Sequence, residues 1–460
     1  MQFTILMTMS LMFADPTALA ENAIAGAAGK IIQHQQTESR AYEILEELCD
    51  DVGHRLAGSK QAEEAVTWGV EIFRRFGFED ARRHPILVPV WVRGDREEVE
   101  LLEPRRQRLA ALALGGSIAT PDGGVEAEVM AVEDFEELKA RKDEVQGKIV
   151  LFNQAMGPNG QGGTLGYGDV VPQRVAGAIE AGRLGAVASV IRSVGTADFR
   201  LPHTGMMRYA EDVPKIPHAA LAAEDADLIV RLLKRDKTVR LRMELSCWSE
   251  EDAPSANVIA ELRGREHPEQ IVVIGGHLDS WDVGQGAHDD GVGIAATIET
   301  LRLLKQLDLR PRRTIRAVLF MNEENGLAGG KAYAKDHAAE LANHVAAIEM
   351  DGGAFQVQGF GISAGEGGLE RLDFLKDLLA PIGADGLTRG GGGADIGPMR
   401  SAGVPQLGLR SDSTDYFDIH HTEADTLDKV DPEELAKCTA ALAIMAYALA
   451  EMEEPLPRLK

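Results

Sequence analysis

The sequence predicts an α/β protein: a mixed sheet with helices packed on it, carrying a second and smaller α/β insert. Three observations point there. Segments of strand and helix character alternate from residue 271 onward. Between residues 125 and 247 the texture changes to short apolar runs punctuated by Gly and Pro. The chain of 460 residues also exceeds what one core encloses, since single cores rarely grow beyond about 250 to 300 residues.

Taken in order, Phe3 to Ala14 is a short apolar stretch followed by Ala18-Leu19-Ala20, a small-residue pattern that signal peptidases accept. Residues 1–20 therefore read as a signal peptide, and the protein as secreted or periplasmic. The first basic residue is Lys30, so the positively charged start usual in such leaders is missing. Residues 41–49 and 60–76 read as helices, the second with Val66, Val70 and Phe73 on one face and Gly77 as its stop. Residues 87–102 turn strand-like. In the insert, residues 148–152, 186–191 and the alternating Val239, Leu241, Met243 and Leu245 read as strands, with a helix at 173–181. His203 and His218 read there as packing or loop histidines. Strands are expected at 271–275, 314–321 and 345–350, and helices at 291–307 and 335–344. Asp431-Pro432-Glu433-Glu434 supplies an N-cap, an N1 proline and a capping-box Glu for a final helix to about Glu451.

Composition removes several classes of function. No apolar run is long enough to cross a bilayer, which excludes a membrane span. The 73 acidic against 48 basic residues give a charge of -25, which repels phosphate backbones and argues against nucleic acid as a partner. Cys49, Cys247 and Cys438 are too widely spaced for a metal knuckle or a dense disulfide framework.

The chemistry gathers at the carboxyl ends of the expected strands, where doubly wound sheets place their sites. Gly275-Gly276-His277-Leu278-Asp279 ends one strand, Asn322-Glu323-Glu324 the next, and Glu349-Met350-Asp351 a third. His420-His421 and Asp425 follow, while Ala287-His288-Asp289-Asp290-Gly291 opens a helix. Any one of these has an ordinary explanation as a cap or a solvated loop. Together they would crowd like charges into one crevice, at a cost that cations offset. Imidazoles mixed with carboxylates suit zinc or a similar first-row metal better than magnesium or calcium.

In these stretches, and in His421-Thr422-Glu423-Ala424-Asp425-Thr426, the sequence strongly resembles metallopeptidase family 28, the co-catalytic zinc aminopeptidases. The resemblance implies a three-layer zinc-aminopeptidase fold over residues 21–124 and 248–460, with a protease-associated α/β insert at 125–247. It implies two Zn2+ per chain, His277 and Asp351 holding one, Glu324 and His421 the other, and Asp289 bridging them. Asp279 would orient His277, and Glu323 would be the general base. The implied activity is that of an exopeptidase of aminopeptidase or dipeptidase type, acting on dipeptides or short peptides through a two-metal-activated water. Relatives are often dimers, so a homodimer is the assembly left open. Where many relatives carry a Tyr before the last ligand His, this chain has His420. Tyr416 is then either an oxyanion donor or a packed aromatic, and His288 is left outside the site.

Overall fold

The computed structural model describes residues 16–157, 165–197 and 199–460, so the apolar stretch Phe3 to Ala14 lies outside the described residues. The described chain builds two eight-stranded sheets. The first comprises β1 (Arg82–Val92), β10 (Trp248–Leu262), β11 (His267–His277), β12 (Arg313–Phe320), β13 (His344–Glu349), β14 (Val357–Ser363), β15 (Gly386–Arg389) and β16 (Gln406–Ser411), in the order β1-β10-β12-β11-β13-β16-β14-β15. Its centre, β12-β11-β13-β16, is parallel, and the outer pairs β1-β10, β10-β12 and β16-β14 are antiparallel.

The central strands are buried on both sides, and their alternation assigns each residue to a layer. Val272, Ile274, Ile315, Ala317 and Leu319 join one core. It is roofed by α1 (Pro16–Glu38), α2 (Ala41–Glu47), α3 (Lys60–Arg75), α7 (Val292–Gln306) and α11 (Pro432–Glu451). Ile271, Val273, Val318 and Phe320 face the opposite core, which includes Tyr333 of α8 (Ala328–Asp336) and Met399. The result is a three-layer sandwich with helices on both faces. Asp431 caps α11 as expected, its carboxylate accepting the Glu433 N–H at 2.7 Å.

The second sheet takes β2 (Glu97–Glu103), β3 (Gln107–Leu109), β4 (Ala111–Ala113), β5 (Val125–Val132), β6 (Ile149–Phe152), β7 (Ala188–Arg192), β8 (His218–Leu221) and β9 (Arg240–Leu245). Ile149 and Leu151 pack towards α6 (Ala223–Leu233), and Val150 and Phe152 towards α4 (Phe135–Ala140) and α5 (Tyr167–Arg183). By sheet membership this second unit begins at Glu97, earlier than the limit expected at residue 125. The expected continuous strand over 87–102 breaks at Gly94, whose φ of 80° and contact with Ser246 turn the chain from one sheet into the other. Gly115 lets the two units close: a Cβ there would lie 2.1 Å from the ring of Trp281.

Helices α4 and α6 are additions to the sequence reading, and two more helices differ from it. α1 was not expected; its buried Ile24, Ala27, Ala28 and Ile31 recur at helical spacing and pack against α11. The helix expected at 335–344 lies instead at 328–336, because Asn322 Oδ1 accepts the Ala328 N–H at 3.1 Å and starts the helix seven residues earlier. The remaining α-helices among the described residues are the short α9 (Leu375–Leu379) and α10 (Tyr416–Ile419).

Candidate metal centre and cleft

Parallel pairing of β12, β11 and β13 brings their carboxyl ends to one edge of the first sheet. His277 is the last residue of β11, Glu323 and Glu324 follow β12, and Asp351 follows β13. Asp289 lies in the irregular turn Ala287–Gly291 before α7, and His421 follows α10 with φ of 61°. At residue 322 the backbone leaves strand geometry with φ of 76°, which frees the two adjacent glutamates from pointing to opposite faces.

The side chains converge in two sets that share one residue. His277 Nε2 lies 3.1 Å from Asp289 Oδ1 and 3.6 Å from Asp351 Oδ1. His421 Nε2 lies 3.2 Å from Asp289 Oδ2 and 3.1 Å from Glu324 Oε2. Asp289 thus turns one oxygen towards each imidazole, in hydrogen-bond geometry at His277 and as a contact without it at His421. His420, stacked on His421 with ring centroids 3.6 Å apart, adds a further donor 3.6 Å from Asp289 Oδ2. Donor atoms of Asp289, His420 and His421, of His277, Asp290 and Asp351, and of His277, Asp289 and Glu324 each fall within 4.8 Å of one another.

The surrounding residues fix this geometry. The His277 ring is oriented by the main-chain carbonyl of Asp279, 2.9 Å from Nδ1, while the Asp279 carboxylate stands 3.9 Å away. That carboxylate instead accepts the N–H groups of Asn322, Glu323 and Glu324 at 2.7, 3.0 and 3.3 Å. Asp279 therefore positions the glutamate turn as well as the ring. Asp425 accepts the N–H groups of His288 and Asp289 at 2.7 and 3.1 Å. Asp290 accepts from His277 and Gly293 at 3.0 and 3.1 Å, tying the strand end to α7. The wholly buried Arg55 donates to the carbonyls of Leu278, Gln285 and Gly286 at 2.6, 2.6 and 2.9 Å. Arg55 and Asp425 carry no local sequence signal for these roles, because their partners lie more than a hundred residues away. His288 turns from the centre, stacking on Phe355 at 4.4 Å and accepting the Ala354 N–H.

The protein groups by themselves hold protons here. Burial, then the charge of Asp289, pushes Glu324 up to about 7. Burial works against charge on His421, yet Glu324 and Asp289 push it up to about 10. Asp289 Oδ2 and Glu324 Oε1 are buried without a hydrogen-bond partner among the described residues. Cations binding the two sets would displace these protons and occupy the orphaned oxygens.

Above the centre opens a cleft of about 360 Å³. Glu323 and Asp351 line its floor, and Tyr167, Arg174 and Met206, from the second unit, form a wall. Tyr416 is buried in an aromatic cluster with Phe355, Phe417 and His420.

Residues 257–446 match the profile of Peptidase family M28. Carboxypeptidase Q of Mus musculus is 39% identical over 435 residues, covering 95% of this chain and 91% of the relative. The solved structure of a peptidase M28 precursor from Shewanella amazonensis superposes with a TM-score of 0.91 at 40% identity, covering 96% of this chain and 99% of that one. A zinc aminopeptidase from Bacillus subtilis shares the fold with a TM-score of 0.65 at 20% identity, over 90% of this chain and 96% of its own.

Proposed function

Because the chain belongs to peptidase family M28, we infer that it is a zinc exopeptidase whose reaction takes place at the two donor sets sharing Asp289. The division of Asp289, one oxygen beside His277 and Asp351 and the other beside His421 and Glu324, carries this reading. A single metal would not require a carboxylate so divided. Imidazole and carboxylate donors with orphaned oxygens suit zinc. His277, Asp351 and Asp289 would hold one ion, and Glu324, His421 and Asp289 the other.

Zinc, when bound, supplies Lewis-acid chemistry, easing ionisation of a water and polarising the scissile carbonyl. Glu323, beside the ligands in the cleft, takes the proton of the attacking water at a carboxylate oxygen. It then delivers that proton to the leaving amine as the C–N bond breaks. Asp279 keeps Glu323 in place through the turn it binds. The carboxylates favour a positively charged amino terminus at the floor, and the wall that the second unit gives the cleft favours short chains. Substrates are accordingly dipeptides or short peptides with a free amino terminus.

No helix among the described residues is long and apolar enough to cross a membrane. Export fits the leader-like start, because cleavage after Ala20 would remove from α1 only its first residues, of which Thr17, Ala18 and Leu19 are exposed. A homodimer is the assembly to look for by light scattering.

A dipeptide panel with N-acetylated and internally quenched long peptides, assayed before chelation, after it and on return of zinc, tests the reading. Hydrolysis of free dipeptides that disappears on chelation and returns with two zinc ions per chain is expected. Rapid internal cleavage of a peptide blocked at both ends, or activity indifferent to chelation, would overturn it.

A further inference from the structure

Arg174 differs from the other buried arginines of this chain. Arg93 is paired with Asp282 and Glu97, Arg316 with Glu261, Arg313 with Gln270 and the carbonyls of Met452 and Glu453, and Arg55 with four carbonyls. Arg174, on α5, is 7% exposed. Its Nη2 donates to the Tyr167 hydroxyl at 2.8 Å, and its guanidinium lies 5.4 Å from the centre of that ring. Nε and Nη1 are buried with no partner among the described residues, and no carboxylate there pairs with this cation. A desolvated guanidinium without an anion is costly, and its nitrogens form a fork that matches a carboxylate.

Arg174 lines the cleft with Glu323, Asp351 and His420, so its charge lies in the chamber that receives substrate. The exposed Arg208 lines the same wall, held beside α5 by its N–H to the Val175 carbonyl at 3.0 Å. Gly205, with φ of 136°, leaves the guanidinium its room: a Cβ there would stand 2.6 Å from Nη1. The first unit lines the cleft with Asp289, Glu323, Glu324 and Asp351 against one cation, Lys331, and the second with Arg174 and Arg208, a polarity that fits a peptide whose amino end lies towards the first and whose carboxylate lies towards the second.

We propose that Arg174, with Arg208 beside it, receives a carboxylate of the substrate on the leaving-group side, and so selects peptides by that charge. This rests on the exopeptidase reading above. The carboxylate is either the C-terminal one of a dipeptide or that of an acidic side chain at the same place, and amidation separates the two.

The full-length zinc-loaded protein and its Arg174→Met and Arg174→Lys variants are assayed on Ala-Leu, Ala-Leu-amide and Ala-Glu-amide, with zinc content and circular dichroism as controls. In the parent the acid is preferred over the amide, and in Arg174→Met the ratio of their kcat/KM falls on the order of 10²-fold, mostly through KM. Arg174→Lys, which keeps the charge without the fork, falls between. If Ala-Glu-amide behaves as Ala-Leu does, the side-chain carboxylate is a source; if it behaves as Ala-Leu-amide, the terminal one is. Thermal stabilisation by leucine against leucinamide provides a second readout that needs no turnover, with the preference for leucine lost in Arg174→Met. An acid-to-amide ratio near one in the parent, or an equal loss on both substrates in Arg174→Met, overturns the proposal. Absence of cleavage of every peptide by the zinc-loaded parent would instead defeat the exopeptidase reading, and the leucine arm would still decide the role of Arg174.

Discussion

Glu323 and Glu324 are neighbours in sequence with different surroundings, so removing the charge of each should have a different result. Glu324 is buried with Oε2 3.1 Å from His421, whereas Glu323 is half-buried and faces the cleft. Glu324→Gln should lower the zinc content towards one ion per chain, and Glu323→Gln should keep both ions while kcat falls about 10²- to 10⁴-fold; metal analysis with turnover checks both. Asp279→Asn offers an amide where three N–H groups point at carboxylate oxygens. Because hydrogen bonds to a charged group are worth about 1.5 to 3 kcal/mol each, the turn should loosen and kcat should fall at least tenfold, with zinc content changing less; rates and metal content measured together test this. The proposed ligands were legible in the sequence because His277, Glu324 and Asp351 stand where strands end. The carboxylate roles of Asp279 and Asp425, and Arg55 altogether, were not, because their partners are set by the fold.

Among elements, α7 shows how contact overrides propensity. Gly293 stands in its first turn, where Ala would favour helix by about 1 kcal/mol. Yet a Cβ there would stand 2.2 Å from the Met350 carbonyl and 2.4 Å from both Asp290 oxygens. Gly293→Ala should therefore destabilise by about 1 to 3 kcal/mol and weaken zinc binding, seen in denaturant melts and metal titration. In β8, burial lowers His218 to about 4 from its ordinary 6.5, so the folded state keeps the ring neutral. Its contribution is complete above about pH 6.5 and is lost as pH falls towards about 4, since the unfolded chain binds the proton more readily. The stability advantage over His218→Asn should thus shrink between these limits by at most about 1.4 kcal/mol per pH unit, as paired denaturation curves at several pH values would show. Elements with clear periodicity, such as α3, α7, α11 and the central strands, were legible. The run over 87–102 hid a change of sheet at Gly94, and the start of α8 depended on the Asn322 side chain, which no local pattern reveals.

At the scale of the molecule, the metal centre joins the units, so zinc should stabilise more than its own shell. His421 meets the second unit directly: the Thr204 N–H donates to its carbonyl at 2.9 Å, and its Nδ1 lies 3.3 Å from the Thr204 carbonyl. Trp281 reaches across beneath it, with ring centroids 5.6 Å apart, into the core of the second sheet. Arg93, at the same junction, binds Asp282 and the Thr204 hydroxyl. Ions binding only the folded state stabilise it by mass action, about 4 kcal/mol when free metal exceeds Kd a thousandfold. Removing them returns protons to Glu324 and His421, which burial and the neighbouring carboxylates hold there in the free protein. Chelation should therefore lower Tm by several degrees, with recovery on adding zinc. Amide exchange should rise at residues 277–291, 322–327 and 419–426, and at 203–206 across the junction, while β6 and β7 stay protected because their cores include no residue of the metal centre. Exchange confined to the first three segments would show that the centre does not couple the units, and an unchanged Tm would show that zinc is not held by the folded chain.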